Sequence, residues 1–220
     1  MTACIALLGG SYDPVHVGHV ALGAYFANLL HADQLRVIPA GLPWQKSGLL
    51  RASPQQRAEM AALAFAGQPF EVTVDMQEIE RAAQGRPTYS IDTLRQLRAE
   101  LGPEVSLVFL MGADQLQRLD TWHEWRELFS HAHLCVAARP GYSMQGSGVP
   151  DAVAAEFSRR LASPGQIRGT PQGLAYLAPD LAVDISATQI RAALQRGEAA
   201  NSLIPPLVLD YIEQHNLYKS

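Results

Sequence analysis

The apolar positions of this chain gather into short runs and helical stripes that alternate over most of its length. Ile5 to Leu8 is an uninterrupted run of strand length, and Val20 to Leu30 has the composition and length of a helix. Gln34 to Ile38 predicts a second strand. Ser53 followed by Pro54 suits an N-cap with proline at the first helical position; the helix they open is expected to run to about Ala66 and stop at Gly67. Phe70 to Val74 alternates as a strand does, and Gln77 to Glu80 predicts a shorter one. Gly85 to Thr93 leads into a helix ending near Leu101, with Thr88 or Ser90 able to cap it. Val105 to Leu110 suits a central strand buried on both faces, and Trp122 and Trp125 share one face of an expected helix, packed in the core. Leu134 to Ala138 is a further strand, and Leu181 to Ile185 the last.

Between these last two strands, residues 141 to about 180 are rich in Gly, Pro and Ser and carry one expected helix at about 150 to 162. Ser186 and Gln189 have capping-box spacing at a helix start, and Leu203-Ile204-Pro205-Pro206 opens a terminal helix to about Gln214. Strands alternating with helices predict an α/β fold: a doubly wound, Rossmann-like, mainly parallel sheet with a small C-terminal helical part at about 186–220, all within one domain, 1–220. In such sheets ligands lie beyond the carboxyl ends of the strands. The polar stretches beginning at Gly9, Pro39, Gly112, Arg139 and Ser186 each follow an expected strand, so they are expected to meet on one edge.

Composition narrows the classes. The chain has 220 residues, enough to bury a substantial core, with a formal charge of −4, which argues against a dedicated nucleic-acid binder. No run approaches a membrane span, and the start lacks a basic segment followed by an apolar signal core, so a cytoplasmic, membrane-free protein is expected. Cys4 and Cys135 fall in apolar strand-like runs and suit small buried hydrophobes. His131 and His133 would share a strand face, but no third ligand is nearby, which leaves them structural.

The chemistry concentrates in Gly9-Gly10-Ser11-Tyr12-Asp13-Pro14-Val15-His16-Val17-Gly18-His19, a strand-to-helix loop. Adjacent glycines let a backbone approach a bulky anion, Asp13-Pro14 forces a turn, and a helix start points NH groups and its positive dipole end at the loop. His16 and His19, three apart, can reach one phosphate. A capping turn with two incidental histidines is the plainer alternative. The Walker pattern is absent, and the dinucleotide fingerprint fails because Gly10 directly follows Gly9. Ser186 to Arg191 is a second helix start with hydroxyls and an arginine, again suited to phosphate. Lys46 is a lone cation after a strand, by default a solvated surface lysine.

The loop resembles the (H/T)-x-G-H signature of the adenylyl- and cytidylyltransferases, here His16-Val17-Gly18-His19. With Arg86-Pro87-Thr88-Tyr89-Ser90, Gly112-Ala113-Asp114, Thr121-Trp122, Arg139-Pro140-Gly141, Ile185 to Arg191, Leu203-Ile204-Pro205 and Tyr218, the chain resembles the bacterial nicotinate-nucleotide adenylyltransferases over nearly its whole length. It departs from their pattern at Tyr12, usually Phe, and at Ala187, often Ser, and residues 142 to 180 match poorly. The resemblance implies transfer of AMP from ATP to nicotinate mononucleotide, giving deamido-NAD and pyrophosphate, with Mg²⁺ carried on the ATP phosphates and no protein-built metal site. It implies catalytic roles for His16, His19 and Arg191. ATP would be bound by Gly9, Gly10, Ser11, Tyr12, Asp13, Gly18, His19, Lys46, Gly112, Asp114, Arg139, Ile185, Ser186, Thr188 and Arg191. The mononucleotide would be bound by Lys46, Thr88, Tyr89, Trp122 and His123.

The alternatives are preference for nicotinamide mononucleotide, a phosphopantetheine adenylyltransferase, a catalytically silent nucleotide-binding module, and a Rossmann dehydrogenase using Asp33. The partners implied are small molecules, with neither nucleic acid nor membrane. A homo-oligomer is compatible with a sequence that does not set the oligomeric state.

Overall fold

The structure, a computed structural model, describes residues 2–41, 50–138, 144, 147–178, 181, 186–198 and 200–218. Among them β1 (Cys4–Gly10), β2 (Gln34–Pro39), β3 (Glu71–Val74), β4 (Ser106–Gly112), β5 (His133–Ala137) and β6 (Ala175–Ala178) form one sheet in the order β3-β2-β1-β4-β5-β6. The pairs β1 with β4, β4 with β5 and β5 with β6 are parallel, with Leu8 opposite Leu110, Leu110 opposite Cys135, and Cys135 opposite Tyr176. The order runs outward one way from β1 and the other way from β4, which is the doubly wound, Rossmann-like arrangement the alternation predicts. β4 sits between two parallel neighbours and is buried from Ser106 to Met111, as its apolar run requires.

The chain divides into two compact units. The first comprises Met1–Leu8, Leu22–Arg36 and Tyr89–Ala182. In it, α4 (Ser90–Leu101) buries Ile91, Leu94 and Leu97, an i, i+3, i+6 stripe, α5 (Ala113–Leu116) is a short turn directly after β4, and α6 (Asp151–Ser158) buries Val153 and Phe157 at i, i+4. A further helix, α7 (Pro164–Gly169), opens with a full capping box between Ser163 and Gln166. Cys4 and Cys135 are buried free thiols. Asp33 accepts from the Cys4 backbone N–H at 2.8 Å and pairs with Arg168, which occupies the carboxylate a dehydrogenase would turn to a ribose.

The second unit comprises Gly9–Ala21, Val37–Thr88 and Val183–Ser220. It holds α2 (Pro54–Ala64), α3 (Gln77–Ala83), α8 (Ala187–Gln195) and α9 (Pro206–Gln214). α2 starts as expected: the Ser53 side chain accepts from Gln56 N–H, and Gln56 reaches back to Ser53 N–H. Helix α1 (Val17–Leu29) passes from this unit into the first, and it begins inside the histidine motif rather than at Val20. No helix among the described residues is long and apolar enough to cross a membrane.

Several expectations need correction. Gln77 to Glu80 is helical, because Gln77, Glu78 and Arg81 turn inward at i, i+1, i+4. Neither Thr88 nor Ser90 caps α4; its N-cap is Tyr89, with no side-chain bond. Ser186 is the N-cap of α8 but makes no cap bond, so the box with Gln189 does not form. Trp122 and Trp125 lie on no common helix: Trp122 ends one 3-10 turn, Leu119–Thr121, and Trp125 starts another, Trp125–Ser130. Elements the pattern did not mark include the short α5, α7 and β6. Of the run Leu181 to Ile185, all but Leu181 lies outside the described residues.

Candidate active site

In the second unit the motif loop is built around two packed rings. The Tyr12 backbone takes a left-handed turn, φ 50°, which folds its fully buried ring over Gly10. A Cβ at Gly10 would lie 2.8 Å from Tyr12 Cε1, so the position accepts only glycine without displacing the ring. Tyr12 in turn meets His19 edge-on at 5.0 Å, and His19 stacks on His16 with centroids 3.7 Å apart. The two imidazoles are therefore brought together, as their spacing predicts.

His19 has its tautomer set by the loop. His16 N–H donates to His19 Nδ1 at 3.2 Å, the same reach-back that a glutamine makes in a capping box, so the ring proton of neutral His19 belongs on Nε2. The first turn of α1 keeps some of its NH groups for the protein: Val17 N–H donates to the Leu203 carbonyl at 3.0 Å. Gly18 is buried between the two histidines in sequence, and Gly9, at the strand end, is exposed.

Asp13, grouped above with the ATP-binding residues, is wholly buried and turns its carboxylate inward. Oδ1 accepts from Tyr218 Oη at 2.8 Å and Ala52 N–H at 3.0 Å, and Oδ2 accepts from Arg51 N–H at 2.9 Å. Arg191 donates to the Asp13 carbonyl at 2.6 Å and stands 3.8 Å from Oδ2, while its Nη2 donates to Thr188 Oγ1 at 3.3 Å. Arg57, also wholly buried, donates to the carbonyls of Ser11 and Gly41. Burial lowers the Arg57 pKa and the nearby Asp13 charge opposes that; burial and Asp13 together push the Tyr218 hydroxyl up. One buried anion and two arginines thus hold the motif loop and the start of α8, where Ser186 and Thr188 sit.

In the first unit the predicted mononucleotide residues are partly assembled. Tyr89 packs tilted against His123, with ring centroids 4.5 Å apart and planes at 31°, and His123 Nε2 is 3.1 Å from Glu124 Oε1. Glu124 takes a left-handed conformation, φ 49°, and is bonded to Arg95, whose guanidinium holds its carboxyl below the usual range. Trp122 packs edge-on against Phe109 at 6.2 Å, and its buried Nε1 has no hydrogen-bond partner among the described residues. Gly112 ends β4 and Asp114 follows it, folded back so that a Cβ at Gly112 would meet its Oδ1 at 2.6 Å. Thr88, of the second unit, is buried.

Lys46, Arg139 and Ile185 lie outside the described residues. Two residues were missed. Arg57 carries a legible signal, since it shares an i, i+3, i+4, i+7 stripe with Met60, Ala61 and Ala64 on the apolar face of α2. Tyr218 is a matched position of the family resemblance, but its bond to Asp13 leaves no local signal, because the two are 205 residues apart. Among the described residues no group of three or more His, Cys, Asp or Glu is placed to hold a metal ion.

The family model described as cytidylyltransferase-like matches residues 7–193. The protein of Herminiimonas arsenicoxydans named "Probable nicotinate-nucleotide adenylyltransferase" is 63% identical over 220 residues, covering 100% of this chain and 99% of its own. The protein of the same name from Dechloromonas aromatica is 41% identical, covering 100% of both chains. Among solved structures, the Plasmodium falciparum nicotinic acid mononucleotide adenylyltransferase complexed with NaAD superposes with a TM-score of 0.71 at 20% identity, over 98% of this chain and 97% of that one. That likeness is one of fold.

Proposed function

The chain belongs to the cytidylyltransferase-like family and to its nicotinate-nucleotide adenylyltransferases, and from that membership we propose how its residues transfer AMP from ATP to nicotinate mononucleotide, releasing deamido-NAD and pyrophosphate. The observation that carries the proposal is the stacked His16–His19 pair at the start of α1, with Arg191 anchored on the same loop through Asp13. Two imidazoles, a guanidinium and a helix start form a cradle for a polyphosphate.

The mononucleotide phosphate is an anion near neutral pH, so it attacks the α-phosphorus of ATP in line without a general base. A phosphorus–oxygen bond forms on one side and the bond to pyrophosphate breaks on the other. Catalysis is then alignment and stabilisation of the charge that gathers on the phosphates. His19, with its proton on Nε2, donates to the α-phosphate, and His16 steadies it from the adjoining ring. Arg191, Thr188 and the Ser186 helix start hold the β and γ phosphates as pyrophosphate leaves. Gly9, Gly10 and Gly18 keep side chains out of the polyphosphate's way, while Ser11, Tyr12 and Asp13 hold the loop's shape. Lys46 adds a positive charge, Gly112, Asp114, Arg139 and Ile185 serve the adenosine side, and Thr88, Tyr89, Trp122 and His123 receive the pyridine nucleotide. The Trp122 indole N–H, without a partner among the described residues, supports that last assignment, since a buried donor is satisfied by a ligand acceptor.

Mg²⁺ would come bound to the ATP phosphates, whose hard oxygens suit it, and would neutralise part of their charge; the described residues offer no carboxylate cluster of their own for it. Turnover should fall about a hundredfold or more in His19→Ala, as loss of one preorganised donor commonly causes. Release of pyrophosphate from ATP and nicotinate mononucleotide measures it, and near-normal turnover would remove His19 from the mechanism.

A further inference from the structure

Arg191 is held in an unusual balance. Its short bond is to the Asp13 carbonyl, at 2.6 Å, while the Asp13 carboxylate beside it stays at 3.8 Å. A carboxylate this close to a guanidinium ordinarily closes to a direct pair of about 2.8 Å. Here its two oxygens are already taken by three neutral donors, the backbone N–H groups of Arg51 and Ala52 and the Tyr218 hydroxyl. The backbone donors are fixed by the chain; the hydroxyl is the side-chain donor of the three. Tyr218 is 6% exposed, and burial, together with the Asp13 charge beside it, keeps the phenol protonated, so it remains a donor. Arg57, buried and near both Asp13 and Tyr218, is engaged by the Ser11 and Gly41 carbonyls rather than by the carboxylate.

We infer that Tyr218 is a positioning residue for phosphate binding: by holding Asp13 Oδ1 it keeps the carboxylate turned from Arg191, so that the guanidinium serves the pyrophosphate end of ATP. The inference rests on the role given to Arg191 above. Without the hydroxyl, the carboxylate carries more uncompensated charge and draws Arg191 inward, at the expense of the phosphates.

Tyr218→Phe keeps the ring and removes only the hydroxyl, and a thermal transition verifies that it folds. The probe is inorganic pyrophosphate with Mg²⁺, titrated calorimetrically. Tyr218→Phe should weaken its binding about tenfold, the scale of one hydrogen bond to a charged group. The same change made in an Arg191→Ala background should have no further effect. Tyr211→Phe, which removes an α9 hydroxyl bonded to Glu59 of α2, should leave pyrophosphate binding unchanged. In turnover, kcat should fall while the KM for nicotinate mononucleotide holds. Wild-type affinity in Tyr218→Phe, an equal loss in the Arg191→Ala background, or an equal loss in Tyr211→Phe would each overturn the inference. The titration is independent of turnover: a chain that binds pyrophosphate this way but transfers no AMP would refute the proposed reaction and leave the role of Tyr218 standing.

Discussion

His133, at the start of β5, shows how a single residue can be structural and still be felt in solution. Its Nε2 lies 2.8 Å from the Thr170 carbonyl and its Nδ1 accepts from Leu174 N–H at 3.1 Å, so the fold requires the neutral ring. Burial lowers its pKa from 6.5 to about 4. Between those values the unfolded chain binds the proton and the folded chain does not. The stability this ring contributes is therefore complete above pH 6.5 and is lost as pH falls toward 4, by about 3 kcal/mol in all. His131, one residue from the strand, shifts in the same direction, so urea midpoints at pH 7.5 and 4.5 are best compared between wild type and His133→Gln. The variant should lose less stability on acidification; equal losses would contradict the account. His133 was legible as structural from the missing third ligand, but His131 stands outside β5 and does not share its strand face, and the acceptor and donor that hold His133 come from residues 37 and 41 positions away.

At the scale of elements, local chemistry was readable wherever a start signal and a periodic stripe coincided. Ser53-Pro54-Gln55-Gln56 announces α2, and Ser163-Pro164-Gly165-Gln166 announces α7 by the same rule, though the surrounding Gly, Pro and Ser masked it. β6 is four residues, Ala-Tyr-Leu-Ala, too short to show alternation, and α3 buries its polar side chains and so inverts the expected stripe. The caps can be weighed directly. Ser53→Ala and Ser163→Ala should each cost about 1 kcal/mol of stability in urea unfolding, as loss of a side-chain cap does. Ser186→Ala, whose side chain makes no cap bond, should stay within about 0.5 kcal/mol. A loss at Ser186 equal to the other two would mean that α8 is capped through this hydroxyl after all.

Over the whole molecule, the alternation of apolar runs was enough to place the strands in a doubly wound sheet, because β1, β4 and β5 are nearly continuous apolar segments. The motif loop was legible because its parts are adjacent in sequence: Gly10 under the Tyr12 ring, Tyr12 against His19, His19 on His16. The buried Asp13 centre was not, because it gathers Arg51, Ala52, Arg57, Arg191 and Tyr218 from across the chain, and no local pattern reports such a meeting.

The molecule joins AMP to the phosphate of a pyridine mononucleotide bearing a carboxylate. Pyrophosphate release from ATP and Mg²⁺, followed in parallel with nicotinate mononucleotide, nicotinamide mononucleotide and phosphopantetheine, checks this. Clear preference for the nicotinate compound is the predicted result. Preference for the amide would overturn the assignment of Thr88, Tyr89, Trp122 and His123 to the acid, and silence with all three would contradict the reaction itself.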